Sequence, residues 1–259
     1  MNLLTVEKLT KHFGGLAAVQ ELDFTVAEGE ILALIGPNGA GKTTVFNMLT
    51  GLTGVTAGEA RFKDTRLNGL PSYQVVELGL GRTFQNIRLF GKMSVLSNVM
   101  VGFHCRTRTG LFGALLQTPR ASREFRQARE RAVELLAMFG LEGVRDEISR
   151  NLPYGQQRGV EIVRALATDP QLLLLDEPAA GLNIAETEVL MEHIARLRSD
   201  LKKTILLIEH DMKMVMNISD RIVVLDYGVK IAEGGPETIK ADPRVIEAYL
   251  GTGFRKSHA

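Results

Sequence analysis

The sequence predicts an α/β fold: a phosphate-loop core on a parallel sheet, an N-terminal antiparallel β subdomain and an inserted α-helical subdomain. Three observations predict it. The apolar run Ile31-Leu32-Ala33-Leu34-Ile35 leads into Gly36-Pro37-Asn38-Gly39-Ala40-Gly41-Lys42-Thr43-Thr44, and Val45-Phe46-Asn47-Met48-Leu49 follows. That succession reads as strand, glycine-rich turn and helix. The runs at 171–175 and 205–208 are apolar without polar alternation, the mark of strands covered on both faces. Between Met93 and Thr168 the spacing changes to that of helices and interrupts the α/β pattern.

Along the chain, Leu3 to Leu9 alternates like a strand, and Lys11-His12-Phe13-Gly14-Gly15 reads as a turn. Val19 to Val26 is a second strand, with Leu22, Phe24 and Val26 on one face, and Glu28-Gly29 turns it into the phosphate-loop strand. Gly51, Gly54 and Gly58 then punctuate a loop before a strand at Glu59 to Lys63. Asn68-Gly69 and Pro71 mark a turn before a short helix, and Gly79 to Phe84 reads as a strand ending in Gln85. Within the helical block, Phe125, Ala128, Ala132, Leu135, Leu136 and Phe139 recur at helical spacing until Gly140. The start of that helix carries Arg120, Arg123, Arg126 and Arg129. A solvated face and a contact with acidic lipid headgroups or a partner protein both fit such a row. The apolar run Leu111 to Leu116 fits either a satellite core or a docking patch. A helix follows from Ala185 to Arg198, and a hairpin closes around Asp226-Tyr227-Gly228. The expected division is one domain, with the core at 1–92 and 169–235, the helical block at 93–168 and a weakly helical, polar-ended tail at 236–259.

Bulk properties narrow the class. A chain of 259 residues with 45% hydrophobic and 24% charged residues suits a globular protein. Lys+Arg at 31 against Asp+Glu at 30 gives formal net +1, so no global charge argues for nucleic acid. The single Cys105 excludes an internal disulfide and reads as a bland residue. No apolar stretch approaches the roughly 20 residues of a spanning helix, and the N-terminus lacks a signal-peptide apolar region. Membrane involvement is therefore expected through a partner.

The stretch Gly36 to Thr44 fills every fixed position of the phosphate-binding loop pattern. Its glycines let successive backbone N–H groups turn inward at a phosphate, and the following helix adds the positive end of its dipole. Lys42 then suits the β- and γ-phosphates of a nucleotide, and Thr43 suits Mg²⁺. Leu172-Leu173-Leu174-Leu175-Asp176-Glu177-Pro178 sets two carboxylates at the end of a buried strand. Asp176 suits a direct or indirect hold on Mg²⁺, and Glu177 suits polarising an attacking water. His210 ends the neighbouring apolar strand, where it can bond a γ-phosphate or orient water. Gln85 closes a strand entering the helical block, within reach of both Mg²⁺ and a hinge. Leu152-Pro153-Tyr154-Gly155-Gln156-Gln157-Arg158 precedes a helix, and such a glycine-containing start can bind an anion.

In order, Phe13, the Gly36–Thr44 loop, Gln85, the 152–156 segment, the Asp176-Glu177 strand end, Ala179-Ala180-Gly181-Leu182-Asn183 and His210 resemble an ABC-type ATPase subunit. The resemblance covers nearly the whole chain and implies a RecA-like P-loop NTPase core. It also implies that Phe13 stacks on adenine, that Gln85 is the Q-loop residue and that Gly155 and Gln156 belong to the signature loop. Ala180 to Asn183 becomes the D-loop and His210 the switch histidine. In that family two subunits sandwich ATP, each signature loop completing the other's site.

A finer resemblance, to ATP-binding subunits of branched-chain amino acid importers, rests on Arg82-Thr83-Phe84-Gln85-Asn86-Ile87-Arg88-Leu89-Phe90 and on Tyr154-Gly155-Gln156-Gln157-Arg158. Importers of urea or amides share such motifs, and an exporter subunit or a nucleotide-binding regulator are the alternatives. The implied partners are a second ATPase subunit (a copy or a sister chain), transmembrane permease subunits and, indirectly, a solute-binding protein. The implied location is the cytoplasmic face of the membrane.

Two positions depart from the family pattern. Pro153 stands where the signature loop usually has serine, and Asn183 where the D-loop commonly ends in Asp. Proline offers neither hydroxyl nor N–H, so weaker closure by this signature loop is expected unless Tyr154 or water substitutes.

Overall fold

The computed structural model describes residues 1–106 and 118–250. The apolar run at 111–116, the side chain of Arg120 and the polar chain end after 250 lie outside them. Two sheets carry the fold. Strands β1 (Asn2–Phe13), β2 (Leu16–Ala27), β4 (Ala57–Phe62) and β5 (Thr65–Arg66) form an antiparallel sheet in the order β2-β1-β4-β5. A second sheet runs β10-β9-β3-β8-β7-β6, built from β3 (Ile31–Ile35), β6 (Leu80–Arg82), β7 (Leu172–Asp176), β8 (Thr204–Ile208), β9 (Arg221–Asp226) and β10 (Val229–Gly234). All its pairs are parallel except the closing β9–β10 hairpin. The phosphate-loop helix α1 (Lys42–Leu49) follows β3, and α2 (Ser72–Leu78) precedes β6. The helical block holds α3 (Val95–Gly102), α4 (Pro119–Met138) and α5 (Tyr154–Leu166). After β7 come α6 (Ile184–Ser199), α7 (Met212–Ile218), α8 (Pro236–Ala241) and α9 (Pro243–Leu250).

The period-2 alternation of strands explains why the central runs read as uninterrupted apolar segments. Leu172 and Leu174 join Leu32, Leu34, Leu206 and Ile208 in the layer between the two sheets, where Phe46 and Leu49 of α1 also pack. Leu173 and Leu175 point the other way, with Ile205 and Leu207, against Val160, Ile162 and Val163 of α5 and Ile194 of α6. The buried side chains of the helical block therefore run continuously into the face of the parallel sheet. A third cluster sets Ala33, Ile35, Ile222 and Val224 against Val215, Ile239 and Val245 of the last three helices.

Three sequence expectations are corrected. The segment from Lys11 to Phe13 is strand, not turn: Phe13 pairs with Leu16, so only Gly14-Gly15 make the reversal, with Gly14 at φ 57°. The strand expected over Gly79 to Phe84 contracts to Leu80–Arg82, the length of its ladder with β7. Phe125 does not join the buried face of α4; it is 63% exposed, while Ala132, Leu135 and Leu136 are buried. The first turns of α4 project beyond the core, and Arg123, Arg126 and Arg129 are exposed there.

Candidate nucleotide site

The turn between β3 and α1 is shaped by backbone collisions that only glycine avoids. A Cβ on Gly36 (φ 149°) would lie 2.0 Å from the carbonyl oxygen of Leu225 on β9. One on Gly41 (φ 99°) would lie 2.4 Å from the carbonyl oxygen of Ala18 on β2. The same Ala18 oxygen lies 2.7 Å from the Cβ position of Gly228, in the β9–β10 turn. Both sheets thus press main chain against the loop. Gly36→Ala is expected to cost at least about 1–3 kcal/mol of stability through strain and to weaken nucleotide binding. Chemical denaturation with nucleotide titration measures both; a variant unchanged in each contradicts the reading.

Lys42 opens α1 and folds its ammonium back on the loop, donating to the carbonyls of Gly36 (2.6 Å) and Pro37 (3.0 Å). Burial pushes its pKa down, and the carboxylates of Glu177 and Asp176 oppose that shift. In front of the loop lies a cavity of about 500 Å³ lined by residues 38–44, Phe13, Gln85 and Glu177, with Leu16, Ala17, Ala18 and Tyr227. Ten of the residues singled out in the sequence therefore meet in one place: Phe13, Asn38, Gly39, Ala40, Gly41, Lys42, Thr43, Thr44, Gln85 and Glu177. Phe13, half exposed, presents its ring beside the Lys11 ammonium, 4.8 Å from the ring centre.

Sheet order builds the reactive end. Strand β7 lies between β6 and β8, so the chain leaving each neighbour passes beside Glu177. Gln85 Nε2 donates to Glu177 Oε2 at 2.7 Å, and His210 Nδ1 stands 3.4 Å from Oε1. Glu177 is 8% exposed and adopts φ 48°, a conformation in which non-glycine residues are uncommon and carry backbone strain. The buried Glu209 ties the neighbouring turns together, accepting N–H bonds from Ala179, His210 and Asp211; burial pushes its pKa up and those bonds oppose the shift.

Asp176, next to Glu177 on the chain, is buried and is not itself among the residues that line the cavity. Its Oδ2 accepts from Arg82 Nη2 at 2.9 Å, while its buried Oδ1 has no partner. Burial pushes its pKa up and the Arg82 guanidinium pulls it back. Mg²⁺ fits these donors. It takes hard oxygen ligands and keeps several waters and phosphate oxygens, so one hydroxyl and one carboxylate suffice from the protein. Among the described residues no cluster of three or more His, Cys, Asp or Glu competes as a closed metal cage.

Gly155 and Gln156 do not face this cavity. They line a second, mostly apolar cavity of about 300 Å³ between α5 and α6. A Cβ on Gly155 would lie 2.7 Å from Glu186 Oε1, so the first turns of α5 and α6 touch within one chain. Asn183 caps α6, accepting from the Glu186 N–H (3.0 Å) while Glu186 accepts from the Asn183 N–H (2.9 Å). Asn at this position therefore performs the capping that Asp would. Pro153 precedes α5 and supplies no side-chain cap, and the Tyr154 hydroxyl turns inward to accept from Arg158 Nη2 at 3.2 Å.

Sequence reasoning gave Arg82 and Arg158 no individual role beyond their places in the motifs at 82–90 and 154–158, and gave Tyr227 none beyond the closing hairpin. Among the described residues Arg158 is the largest fully buried side chain; it donates to the carbonyls of Phe84 and Gln85 and to Glu161 Oε2, each at 2.8 Å. Tyr227, at φ 44° in the β9–β10 turn, reaches the cavity from the far end of the chain. Its isolated place in a turn was the one available signal.

Comparison with known proteins follows the same lines. The pattern described as ABC transporter matches residues 19–180, and that described as branched-chain amino acid ATP-binding cassette transporter matches residues 229–255. The high-affinity branched-chain amino acid transport ATP-binding protein LivG of Salmonella typhimurium is 50% identical over 249 residues, 96% of this chain and 98% of that one. The solved ADP conformation of an ATP-binding cassette of an ABC transporter superposes with a TM-score of 0.85 at 30% identity, covering 97% of this chain and 99% of that one. A dimeric post-hydrolysis cassette bound to ADP and Pi gives a TM-score of 0.76 at 26% identity, covering 90% and 98%. With the matched pattern spanning well over half of its length, this chain belongs to the ABC transporter family.

Proposed function

We propose that the protein is the ATP-hydrolysing motor subunit of a branched-chain amino acid importer. The observation that carries the catalytic part is Glu177 at the mouth of the phosphate-loop cavity, held between Gln85 and His210. The solute assignment is supported by the similarity to LivG over nearly the full length of both chains and by the match at residues 229–255.

The phosphates of ATP lie against the amide-lined turn, and the Lys42 ammonium leaves the Gly36 and Pro37 carbonyls for the β- and γ-phosphate oxygens. Phe13 covers the adenine. Thr43 and Asp176 are the residues that would hold Mg²⁺, and the ion would supply charge neutralisation on the phosphate oxygens. Glu177 takes a proton from the attacking water through Oε1, since Gln85 already occupies Oε2. His210 orients that water or the γ-phosphate and so reports its presence.

Gly155 and Gln156 do not line the Lys42 cavity of their own chain, which supports a site completed by a second ATPase subunit. ATP then closes two subunits together, and hydrolysis with phosphate release lets them part. No helix among the described residues is long and apolar enough to cross a membrane. The similarity to transport ATP-binding proteins supports transmembrane permease subunits as receivers of that motion, from the cytoplasmic face, through the Gln85 segment and the helical block.

Phosphate release by the purified chain with MgATP, followed by reconstitution with its permease and binding protein, tests the reading. Hydrolysis stimulated by a branched-chain amino acid is expected; hydrolysis indifferent to it, but stimulated by another solute, moves the chain to a different importer. Pro153→Ser bears on the dimer step. Restoring the hydroxyl adds a hydrogen bond to a charged group, worth about 1.5–3 kcal/mol, and should strengthen ATP-dependent dimerisation by roughly tenfold or more in sedimentation. A weaker dimer contradicts that account.

A further inference from the structure

Arg82 joins three elements that the catalytic scheme treats separately. Its side chain is 7% exposed. Nη2 donates to Asp176 Oδ2 at 2.9 Å, while Nη1 donates to Asn47 Oδ1 at 2.8 Å and to Thr50 Oγ1 at 2.9 Å. The guanidinium also lies 5.5 Å from the ring centre of Phe46 and 5.1 Å from that of Phe84. One planar fork therefore spans the end of β7 and the last turn of the phosphate-loop helix, a geometry open to arginine and closed to lysine.

Buried ion pairs are a poor source of stability, because removing both charges from water offsets their attraction. The consequence of this pair is positional. Asn47 belongs to the same helix that Lys42 and Thr43 begin, so the fork fixes Asp176 relative to both. It also uses up Oδ2 and leaves Oδ1 buried without a partner, a state that a carboxylate oxygen rarely keeps unless something else completes it.

We propose that Arg82 is the positioning residue of the metal site, bracing Asp176 against the phosphate-loop helix so that Oδ1 is presented to the Mg²⁺ that Thr43 shares. This rests on the MgATP reading of the cavity. Arg82 touches neither nucleotide nor metal; it acts through Asp176, and outer partners of this kind typically set metal affinity.

The test separates metal from nucleotide. ATP affinity is measured by titration calorimetry in EDTA and again with Mg²⁺, and Mn²⁺·ATP binding is followed by electron paramagnetic resonance. Arg82→Met should leave metal-free ATP affinity within about twofold and lower the metal-dependent gain by about 10–100-fold. Arg82→Lys should not restore that gain. Asp176→Asn should show the same loss, and the combined variant no further loss.

Should Arg82→Met fail to fold, the pair Asn47→Ala with Thr50→Val removes only the helix end of the brace. It should still lower the metal-dependent gain by about threefold or more while ATP binding in EDTA stays intact. A full metal-dependent gain in Arg82→Met or in that pair, or additive losses in the combined variant, overturns the proposal alone. A parent protein that binds ATP equally with and without metal overturns the MgATP reading and the proposal with it.

Discussion

Glu177→Gln should abolish steady-state hydrolysis, with a fall of about 10²–10⁴-fold, while ATP binding persists and the ATP-bound dimer accumulates. The expected size follows from the loss of the general base. The expected selectivity follows from the contacts. Glutamine has the shape of glutamate, and its carbonyl oxygen can still accept the Gln85 Nε2–H that Oε2 accepts at 2.7 Å. The strained turn at residue 177 and its N–H bond to the Ile208 carbonyl are untouched. What disappears is the basic oxygen that faces His210. Single-turnover phosphate release, with size-exclusion chromatography in MgATP, reads both halves. Hydrolysis retained within about tenfold of the parent would remove Glu177 from the role of base.

Arg158→Met should be the most destabilising of the conservative buried substitutions, by about 3–5 kcal/mol. The residue is 1% exposed and its guanidinium satisfies two main-chain carbonyls at Phe84 and Gln85 as well as Glu161. Methionine fills similar space and leaves the buried Glu161 carboxylate with only the Arg88 N–H, 3.3 Å from its Oε1, and the nearby charge of Arg164. Burial already pushes the Glu161 pKa up, with Arg158 opposing. The variant should therefore take up a proton at Glu161 at a higher pH than the parent does.

A second substitution separates charge from tether. Arg158→Met with Glu161→Leu removes both charges and should recover much of the stability, since matched apolar replacements are often neutral. It does not restore the bonds to Phe84 and Gln85, so turnover should stay low while the denaturation midpoint recovers. Full recovery of turnover in the double variant would show that those carbonyl bonds do not position Gln85. A single variant as stable as the parent would show that the pair is not held in the way its distances imply.

How far the letters could be read depended on whether a feature is contiguous. The phosphate loop, the Asp176-Glu177 strand end and His210 were legible because each sits where an apolar run stops, and strand ends are where such sheets do chemistry. The meeting of Gln85, Glu177 and His210 was not legible as geometry. It requires β7 to lie between β6 and β8, and nothing local in three apolar runs orders them.

The arginines were hidden for a further reason. Arg82 and Arg158 fall inside motifs that carry the resemblance, but what they hold was not legible, because Asp176 lies 94 positions from Arg82 and the Phe84 carbonyl 74 from Arg158. Phe125 failed in the opposite direction. Helical spacing assigns a face but not how far along the helix the core extends, and burial on α4 begins only at Ala128. At Phe13 the glycine pair was read as a broad turn, whereas the hairpin ladder holds to its last residue.

The carbonyl of Ala18 is wedged beside two glycines, Gly41 of the loop and Gly228 of the closing hairpin, with room at neither for a methyl group. A wall of main chain stands there, and main chain does not change rotamer. Phe13 belongs to the same β1–β2 hairpin as Ala18, so that contact ties the aromatic end of the cleft to the loop. Enlarging either glycine is therefore expected to push Ala18 away and to change the distance between Phe13 and the phosphate loop.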